Sequence, residues 1–462
     1  MNDSNKKPKI ICPGILNTKG EEIRFLAEQI TKYGGRPITM DLSLGGEVEW
    51  ADISLDEVLA ANNTLKKKVF ESSRTEAIDL VGNAGAVKIM ELYKKGEVDG
   101  IISWAGTVGT SVITIVMRAL PMGVPKVMLC SAASGDVSMW VGNKDIYMLN
   151  MIAEKGVNRV IRKAVANSAA GIVNMARVGE IKDEKVRPLA AITAYGTTTP
   201  TVMKCEKHME ERGWDTIIIH QVGTGATMED LIRSGQITAV LDITIGELSN
   251  TMFKTVFRVP DTWKGKRLTA ASDMGIPQIV CPGGLAQIAW GALSTVTKEI
   301  LEDYKTGKRV SYQNSKAPHV HNPAVTVITP TLEETKTLSL EIITKLNRTK
   351  GPTALIVPMR GWSAYDQSAE LATIERGWTR EKGDGPVWMP DPDNPKWSKR
   401  AIVMWYVFKE NVDRSNPNLD ILQCDMHILD DEFAALLNRC MDDMLDGKWH
   451  KGMYRDIAGV TE

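Results

Sequence analysis

Glycine and threonine residues suited to anion binding cluster at residues 99–110, which we call the Gly-loop. A short apolar run ends there, and Gly106 and Gly109 let backbone N–H groups approach a phosphate-sized ligand. Thr110 and Ser111 are predicted to cap the following helix, whose positive N-terminal end favours the same anion. The spacing is neither that of a P-loop nor that of a GxGxxG fingerprint. The alternative is that the glycines only allow a strand and a helix to pack closely.

Two further turns in the first part of the chain carry similar chemistry. Thr18 and Lys19 precede a predicted helix, where the hydroxyl can donate a hydrogen bond and the ammonium can neutralise charge. Ser134 and Gly135 follow the apolar run that ends at Cys130. Each turn alone is also compatible with an ordinary capped turn. Together they predict a nucleotide or another phosphate ligand in this half.

Acid, base and arginine side chains follow the apolar runs of the second part of the chain. Arg360 is suited to hold a carboxylate, and Glu247, His321 or Asp366 are suited to act as acid or base. We therefore expect catalytic residues here. His319 and His321 also form a pair that suits a metal, but the sequence shows no third ligand, so no metal site is assigned.

Alternating strands and helices must position these side chains. The pattern predicts an α/β fold of two Rossmann-like, doubly wound domains with mainly parallel sheets. In such sheets ligands bind beyond the carboxyl ends of the strands, which is where the turns above fall. The polar segment 179–188 reads as a linker, giving an N-terminal domain at 1–180 and a C-terminal domain at 188–462, with an irregular insertion around 370–400.

The two halves resemble each other in sequence. Residues 95–98 lead into DGIISW as residues 234–237 lead into TAVLDI, and MGVPKVMLC at 122–130 matches MGIPQIVC at 274–281. Two matches in the same order predict an internal duplication. One copy then offers glycines where the other offers carboxylates, so we expect the first to bind and the second to carry the chemistry.

Composition excludes several classes of protein. The 462 residues carry a net charge of −1, so nothing attracts nucleic acid or an anionic membrane over the whole surface. No apolar run approaches the roughly 18 residues of a membrane span. The six cysteines are scattered singly, as expected for reduced core thiols. The sequence therefore predicts a cytoplasmic protein with a small-molecule ligand and no nucleic-acid or membrane partner.

Several motifs resemble those of the Tm-one-like ATP-binding family over nearly the whole chain: GILNTKGEE, WAGTVGT, ITAYGTTTP, HQVGTGATMEDLI, PMRGWSAYD and MHILDDEFA. The resemblance implies two Rossmann-like domains, ATP bound in the N-terminal one, with or without Mg²⁺, and a homodimer. The residues that it implies for the phosphate site are Thr18, Lys19, Gly106, Gly109, Thr110, Ser134 and Gly135. Trp104 and Ala105 stand where family members often have Gly-Gly or Gly-Ser, and the 370–400 insertion is longer than expected. Both departures leave the identity of the ligand open.

Three functions are compatible with these residues. The leading hypothesis is a nucleotide-binding enzyme that acts on a small carboxylated or carbonyl metabolite in the cleft between the halves. The second is a non-enzymatic, nucleotide-dependent binding protein. The third is a metal-dependent hydrolase or C–C lyase that uses His319 and His321. The reaction type is not predicted.

Overall fold

The computed structural model describes residues 7–153, 155–179, 186–255, 257–259, 265–310, 316–371, 383–455, 457 and 459–461. Most of the predicted linker, at 180–185, and part of the predicted insertion, at 372–382, lie outside these residues. The chain divides into two compact units, Met1–Glu184 and Lys185–Glu462, which we call unit 1 and unit 2.

Unit 1 is built on a five-stranded parallel sheet in the order β2-β1-β3-β4-β5. Its strands are β1 (Lys9–Gly14), β2 (Arg36–Asp41), β3 (Gly100–Ala105), β4 (Lys126–Cys130) and β5 (Ile146–Asn150). Its helices are α1 (Leu16–Lys32), α2 (Leu55–Ala60), α3 (Lys66–Glu71), α4 (Arg74–Lys94), α5 (Thr107–Ala119), α6 (Ser138–Val141) and α7 (Arg159–Val178). One core cluster packs α1 and α7 against the sheet, and another packs α4 and α5. The sheet is thus covered on both faces, as in a doubly wound fold.

The Gly-loop forms a strand, a turn and a helix, as predicted. Every residue of β3 is buried, and α5 buries Val112, Ile113, Val116 and Met117 at helical spacing. The predicted cap is wrong, however, because α5 begins three residues before Thr110 and its N-cap is Gly106. Thr110 therefore lies inside the first turns of the helix.

Unit 2 is built on a seven-stranded sheet in the order β15-β14-β13-β9-β8-β6-β7, in which only β15 runs antiparallel to its neighbour. Its strands are β6 (Leu189–Ala194), β7 (Asp215–His220), β8 (Ile237–Thr244), β9 (Gln278–Gly283), β13 (Thr353–Pro358), β14 (Leu419–Cys424) and β15 (Val460–Thr461). A separate antiparallel sheet joins β10 (Ile288–Trp290), β12 (Val325–Ile328) and β11 (His319–Asn322). The helices are α8 (Thr199–Glu211), α9 (Gly225–Arg233), α10 (Glu247–Met252), α11 (Ala270–Met274), α12 (Lys298–Lys305), α13 (Leu332–Leu346), α14 (Lys399–Asn411) and α15 (Asp431–Leu445).

The two large sheets share one strand order. In each unit the first strand lies between the second and the third, and the fourth lies on the other side of the third. Ile101 pairs with Lys126 across β3 and β4, and Val240 pairs with Gln278 across β8 and β9. These are the positions that the sequence repeat aligns, so the predicted fold class, including its duplication, is confirmed.

Two properties of the chain as a whole follow from the structure. Among the residues that it describes, no helix is both long and apolar enough to cross a membrane. All six cysteines are buried and unbridged.

Candidate functional site

In unit 1 the strand order reverses between β1 and β3, which is where ligands bind in sheets of this order. The turns after these strands touch. A Cβ atom on Gly109 would lie 2.7 Å from the Cβ of Ala105 and 3.2 Å from the Cγ1 of Ile15. Gly109 is therefore needed for close packing of α5 against both turns.

The loop after β2 supplies a hydrogen-bond acceptor for a backbone amide at the start of α1. Ser43 Oγ accepts the amide of Asn17 at 3.1 Å and donates in turn to Asp41 Oδ1 at 2.5 Å. Asp41 also accepts the amides of Ser43 and Val48. Burial raises the pKa of Asp41, and these hydrogen bonds oppose the rise. The acidic residue after the second strand, which often holds a ribose in Rossmann-like folds, is thus used internally.

The start of α5 is different. Its N-cap Gly106 has no side chain to offer, so the first amides of the helix, from Thr107 to Gly109, receive no side-chain cap among the described residues. Thr110, the next residue of the helix, is fully buried, and its hydroxyl has no hydrogen-bond partner in the described part of the chain. Amides at a helix start together with such a hydroxyl suit a phosphate oxygen.

Lys19 lies at a break in α1, where φ is −121° and ψ is 21°. The break turns the side chain inward: its Nζ lies 3.8 Å from Glu22 Oε1 and 5.9 Å from the centre of the Trp104 ring. Glu22 Oε2 and Trp104 Nε1 are buried without a hydrogen-bond partner among the described residues. Thr18, by contrast, is exposed and donates to the carbonyl of Ile15.

Ser134 and Gly135 are exposed in the turn after β4. This turn starts beside the end of β3, since the Ser131 amide donates to the carbonyl of Ala105 at 3.4 Å. Because β1, β3 and β4 are parallel neighbours, all seven predicted phosphate-site residues lie at one edge of the unit 1 sheet.

In unit 2 the equivalent crevice, between β6 and β8, contains a side chain of the protein itself. The Tyr195 ring is buried there between Gly246 and Gly284, where an added Cβ would lie 2.4 Å and 2.6 Å from ring atoms. Its hydroxyl accepts a hydrogen bond from Asn250 Nδ2 at 3.0 Å. The strand registers align Tyr195 with Ile15 of unit 1. The two copies of the fold therefore differ at this position, since an aromatic ring fills the crevice of unit 2 and an isoleucine stands at the same register in unit 1.

Glu247 is fully buried in an ionic network around Arg267. Its carboxylate accepts Arg267 Nε at 2.6 Å and the amides of Gly223 and Gly225, each at 3.2 Å. The guanidinium also donates twice to Asp242, both at 2.6 Å. Burial raises the pKa of Glu247, and Arg267 opposes the rise. The carboxylate thus takes the place of an external anion at the start of α9 and holds the turn.

Arg360 and Asp366 follow β13 but belong to different contacts. Arg360 makes two hydrogen bonds of 2.8 Å to Asp425, which raises the pKa of Arg360 and lowers that of Asp425. Asp366 is fully buried, accepts the Trp362 amide at 3.1 Å and lies 3.6 Å from Arg400 Nη1. Burial raises the pKa of Asp366 to about 6, although Arg400 opposes the rise.

His319 and His321 lie on β11, against the ring of Tyr365. His321 Nδ1 is 2.8 Å from the Tyr365 hydroxyl, and the ring of His319 meets the same tyrosine edge-on at 5.4 Å. Within the described ranges, no group of three or more His, Cys, Asp or Glu side chains could hold a metal ion. Each of the four predicted catalytic residues has its own partner: Glu247 contacts Arg267, His321 contacts Tyr365, Arg360 contacts Asp425, and Asp366 accepts the Trp362 amide. Two of them are linked through the chain, because Tyr365 directly precedes Asp366.

The comparison with known proteins matches both units in turn. The N-terminal domain of an uncharacterised protein family, UPF0261, matches residues 8–180, and its C-terminal domain matches residues 187–375. The chain belongs to the UPF0261 family.

UPF0261 relatives cover most of this chain. A UPF0261 protein of Clostridium tetani is 33% identical over 95% of this chain and 99% of its own length. One of Rhizobium meliloti is 33% identical over 78% of this chain and 85% of its own. The tomato ToMV resistance protein Tm-1 is 26% identical over 78% of this chain, which spans about half of the tomato protein, 49%. The predicted resemblance to Tm-one-like proteins is confirmed.

Three residues that shape these UPF0261 sites did not stand out in the sequence. Tyr195 lies within a motif, but nothing in the sequence indicates that its ring occupies a crevice. Arg267 and Arg400 are single arginines whose carboxylate partners lie far away in the chain. Only the alignment of the two copies gives a signal, because Tyr195 occupies the position in the second copy that Ile15 occupies in the first.

Proposed function

We propose that unit 1 binds a nucleotide at the carboxyl ends of β1 and β3, with ATP, alone or with Mg²⁺, as the expected ligand. The observation that carries the proposal is the start of α5, where helix amides without a side-chain cap adjoin the buried, unpartnered hydroxyl of Thr110. A helix start of this kind favours a phosphate. Lys19 is close enough to the end of β3, 5.9 Å from the Trp104 ring, to add a positive charge.

The contrast with unit 2 supports the same assignment. There, the Tyr195 ring takes up the equivalent crevice. Unit 1 has Ile15 at the position of Tyr195. One copy of the duplicated fold thus fills this crevice with a side chain of its own, and we propose that the other leaves it to a ligand.

Calorimetric titration of the full chain with ATP, ADP and AMP tests this proposal. We expect Thr110→Val to weaken ATP binding about tenfold, because one hydrogen bond to a charged group is lost. Lys19→Ala should weaken it by a similar factor or more. The matched control is Thr114→Val, because Thr114 is also buried in α5 but its hydroxyl donates to the Ser111 carbonyl at 3.4 Å. Absence of ATP binding, or equal affinity in all variants, would refute the proposal.

The proposal extends to an enzyme that acts on a small carboxylated or carbonyl metabolite and works as a homodimer. The buried Asp366, with its pKa near neutrality, supports acid or base chemistry in unit 2. Exposed apolar side chains on the edge strand β5, Tyr147 and Leu149, support a dimer because a second copy could cover them. A metabolite screen for turnover and light scattering for the mass test these two parts.

A non-enzymatic, nucleotide-dependent binding protein is the alternative. It is favoured by the relative whose name describes resistance to ToMV rather than a reaction. It predicts nucleotide binding that alters partner capture without turnover. Turnover in the metabolite screen that is lost in Asp366→Asn would decide against it.

A further inference from the structure

Strand β5 forms one edge of the unit 1 sheet, and its sequence does not protect that edge. Among the described residues it pairs with β4 alone. Its residues, Ile146–Asn150, include no charged side chain and no proline. Edge strands of soluble proteins commonly carry one or the other, because an unprotected edge pairs readily with another strand. The edge of β5 is therefore suited to accept a further strand.

The opposite edge of the same sheet, formed by β2, is protected. This strand begins with Arg36 and Pro37 and ends at Asp41. Ile53 also runs alongside it: its amide donates to the carbonyl of Thr39, and its carbonyl accepts the amide of Asp41. Unit 1 thus closes one edge of its sheet and leaves the other without such protection.

The hydrogen bonds between β5 and β4 show which backbone groups of β5 face outward. The amide of Met151, directly after the strand, donates to the carbonyl of Cys130 on β4 at 3.0 Å. Successive residues of a strand direct their backbone groups to opposite sides, so those of Tyr147 and Leu149 also face β4. The Ile146 amide donates to the carbonyl of Lys144. The outward groups that remain are the Ile146 carbonyl, both groups of Met148 and the Asn150 amide.

An antiparallel copy of β5 fits these groups when the twofold axis passes beside Met148. Met148 then lies opposite its own counterpart, and the two exchange both N–H···O bonds. The Asn150 amide of each copy donates to the Ile146 carbonyl of the other. Tyr147 of each copy lies opposite Leu149 of the other, in the pairs where side chains approach most closely. The strand is thus complementary to itself in backbone groups and in side chains.

Large apolar side chains are exposed along this edge and next to it in the chain. Tyr147 and Leu149 are 60% and 38% exposed, and Met139, Ile152 and Val160 are exposed as well. At roughly 200 Å² for a fully exposed large side chain, these five offer on the order of 600 Å² per copy, against about 800 Å² per partner in a stable dimer. No charge within β5 meets a like charge of the second copy. Area and charge therefore both suit self-association.

We propose that a second copy of this chain occupies the β5 edge as an antiparallel strand centred on Met148, so that two five-stranded sheets become one continuous sheet. The inference rests on the homodimer of the proposed function and deepens it by naming the interface. Because the paired strands run antiparallel, the carboxyl ends of the two sheets face opposite ways. Each copy then keeps a nucleotide site of its own, and neither contributes a residue to the site of the other.

Light scattering of the full chain over a dilution series tests the interface. We expect the wild type to have twice the mass of one 50.9 kDa chain. Tyr147→Lys puts a charge into each cross-strand pair, and Met148→Pro removes the amide that faces the second copy while keeping every hydrogen bond to β4. Each should raise the dissociation constant of the dimer about tenfold or more. The matched control is Tyr406→Lys, because Tyr406 is 62% exposed but lies on the helix α14. Circular dichroism checks that each variant is folded.

Introduced cysteines test the register, because all six native cysteines are buried. In the proposed dimer of Met148→Cys, the two Cα atoms lie about 5.5 Å apart, which a disulfide can span. Mild oxidation should therefore join the two chains. Ile152→Cys is the control, because its two copies would lie about 27 Å apart at 3.4 Å per residue. Absence of the Met148→Cys cross-link, or equal cross-linking of both variants, overturns this register.

Titration of the same samples with ATP separates this inference from the nucleotide site. Tyr147→Lys should bind ATP as tightly as the wild type does, and absence of ATP binding to both refutes the nucleotide site alone. A dimer that is equally stable in the wild type, Tyr147→Lys and Met148→Pro overturns the β5 interface and leaves the homodimer standing. A wild-type chain that is monomeric at every concentration overturns the interface and the homodimer together.

Discussion

At the scale of single residues, burial decides what each ionisable side chain can do. Glu247, Asp366 and Lys19 were all predicted to face a ligand, and all three are buried. Glu247 is held by three donors from its own unit, whereas Asp366 accepts one amide and has a second oxygen without a hydrogen bond. Asp366 therefore keeps one carboxylate oxygen that is not engaged in a hydrogen bond.

The raised pKa of Asp366 makes stability depend on pH. Because the pKa of Asp366 rises from 3.8 to about 6 on folding, the folded state binds more protons between these values, and the free energy of unfolding falls as the pH rises through them. The stabilisation is fully present below pH 4 and is lost as the pH rises to 6. Between pH 4 and pH 7 the free energy of unfolding of Asp366→Asn should therefore rise relative to that of the wild type by on the order of 3 kcal/mol. Urea unfolding of both proteins across this range measures the change, and a constant difference would contradict it.

At the scale of elements, the turns that join strands to helices depend on close approach. At the first residue of α9, an added Cβ on Gly225 would lie 1.7 Å from Glu247 Oε1 and 2.5 Å from Arg267 Nε. The side chains of the network therefore exclude any larger residue there.

Gly225→Ala should destabilise unit 2 by at least the roughly 1–3 kcal/mol typical of overpacking, because the carboxylate and the guanidinium must both move. Gly196→Ala is the matched control, since an added Cβ there meets nothing within 4 Å and its φ is not positive. Denaturant unfolding compares the two. Equal free energies of unfolding for both variants would show that Glu247 and Arg267 can move aside without loss of stability.

The sequence predicts an element well when the residues that determine it are neighbours in the chain, and poorly when tertiary contacts determine it. The apolar run of β3 and the helical spacing of α5 are local, so both elements were predicted. The helix start was misplaced because Thr110 and Ser111 resemble caps, whereas the N-cap is Gly106, which has no side chain to mark it. The partners of Arg267 and Arg400 are set by tertiary contacts, so no local pattern predicts them.

At the scale of the whole molecule, the duplication provides two copies of one strand order, and a tyrosine ring fills the crevice of one of them. The strand order is shared, but the Tyr195 crevice belongs to unit 2 alone. A nucleotide should therefore affect the two units unequally.

Hydrogen exchange of the full chain with ATP should show slower exchange in unit 1. Saturation at 100 times the Kd stabilises the binding state by about 2.7 kcal/mol, which corresponds to roughly hundredfold slower exchange of amides that open only on unfolding. Peptides from β1, β3 and α5 should slow, and peptides from β6, β8 and α10 should not. Slower exchange confined to unit 2 would contradict the proposal that the nucleotide binds unit 1.

Every strand pairing of the unit 1 sheet joins residues within the first 184 of the chain. Unit 1 can therefore complete its core on the ribosome while unit 2 is still being synthesised, a delay on the order of tens of seconds at usual elongation rates. If unit 1 binds a nucleotide as proposed, cellular nucleotide would stabilise the first half of the chain during that delay. The nascent chain would then carry its ligand before the residues around Asp366 and Arg400 have been made.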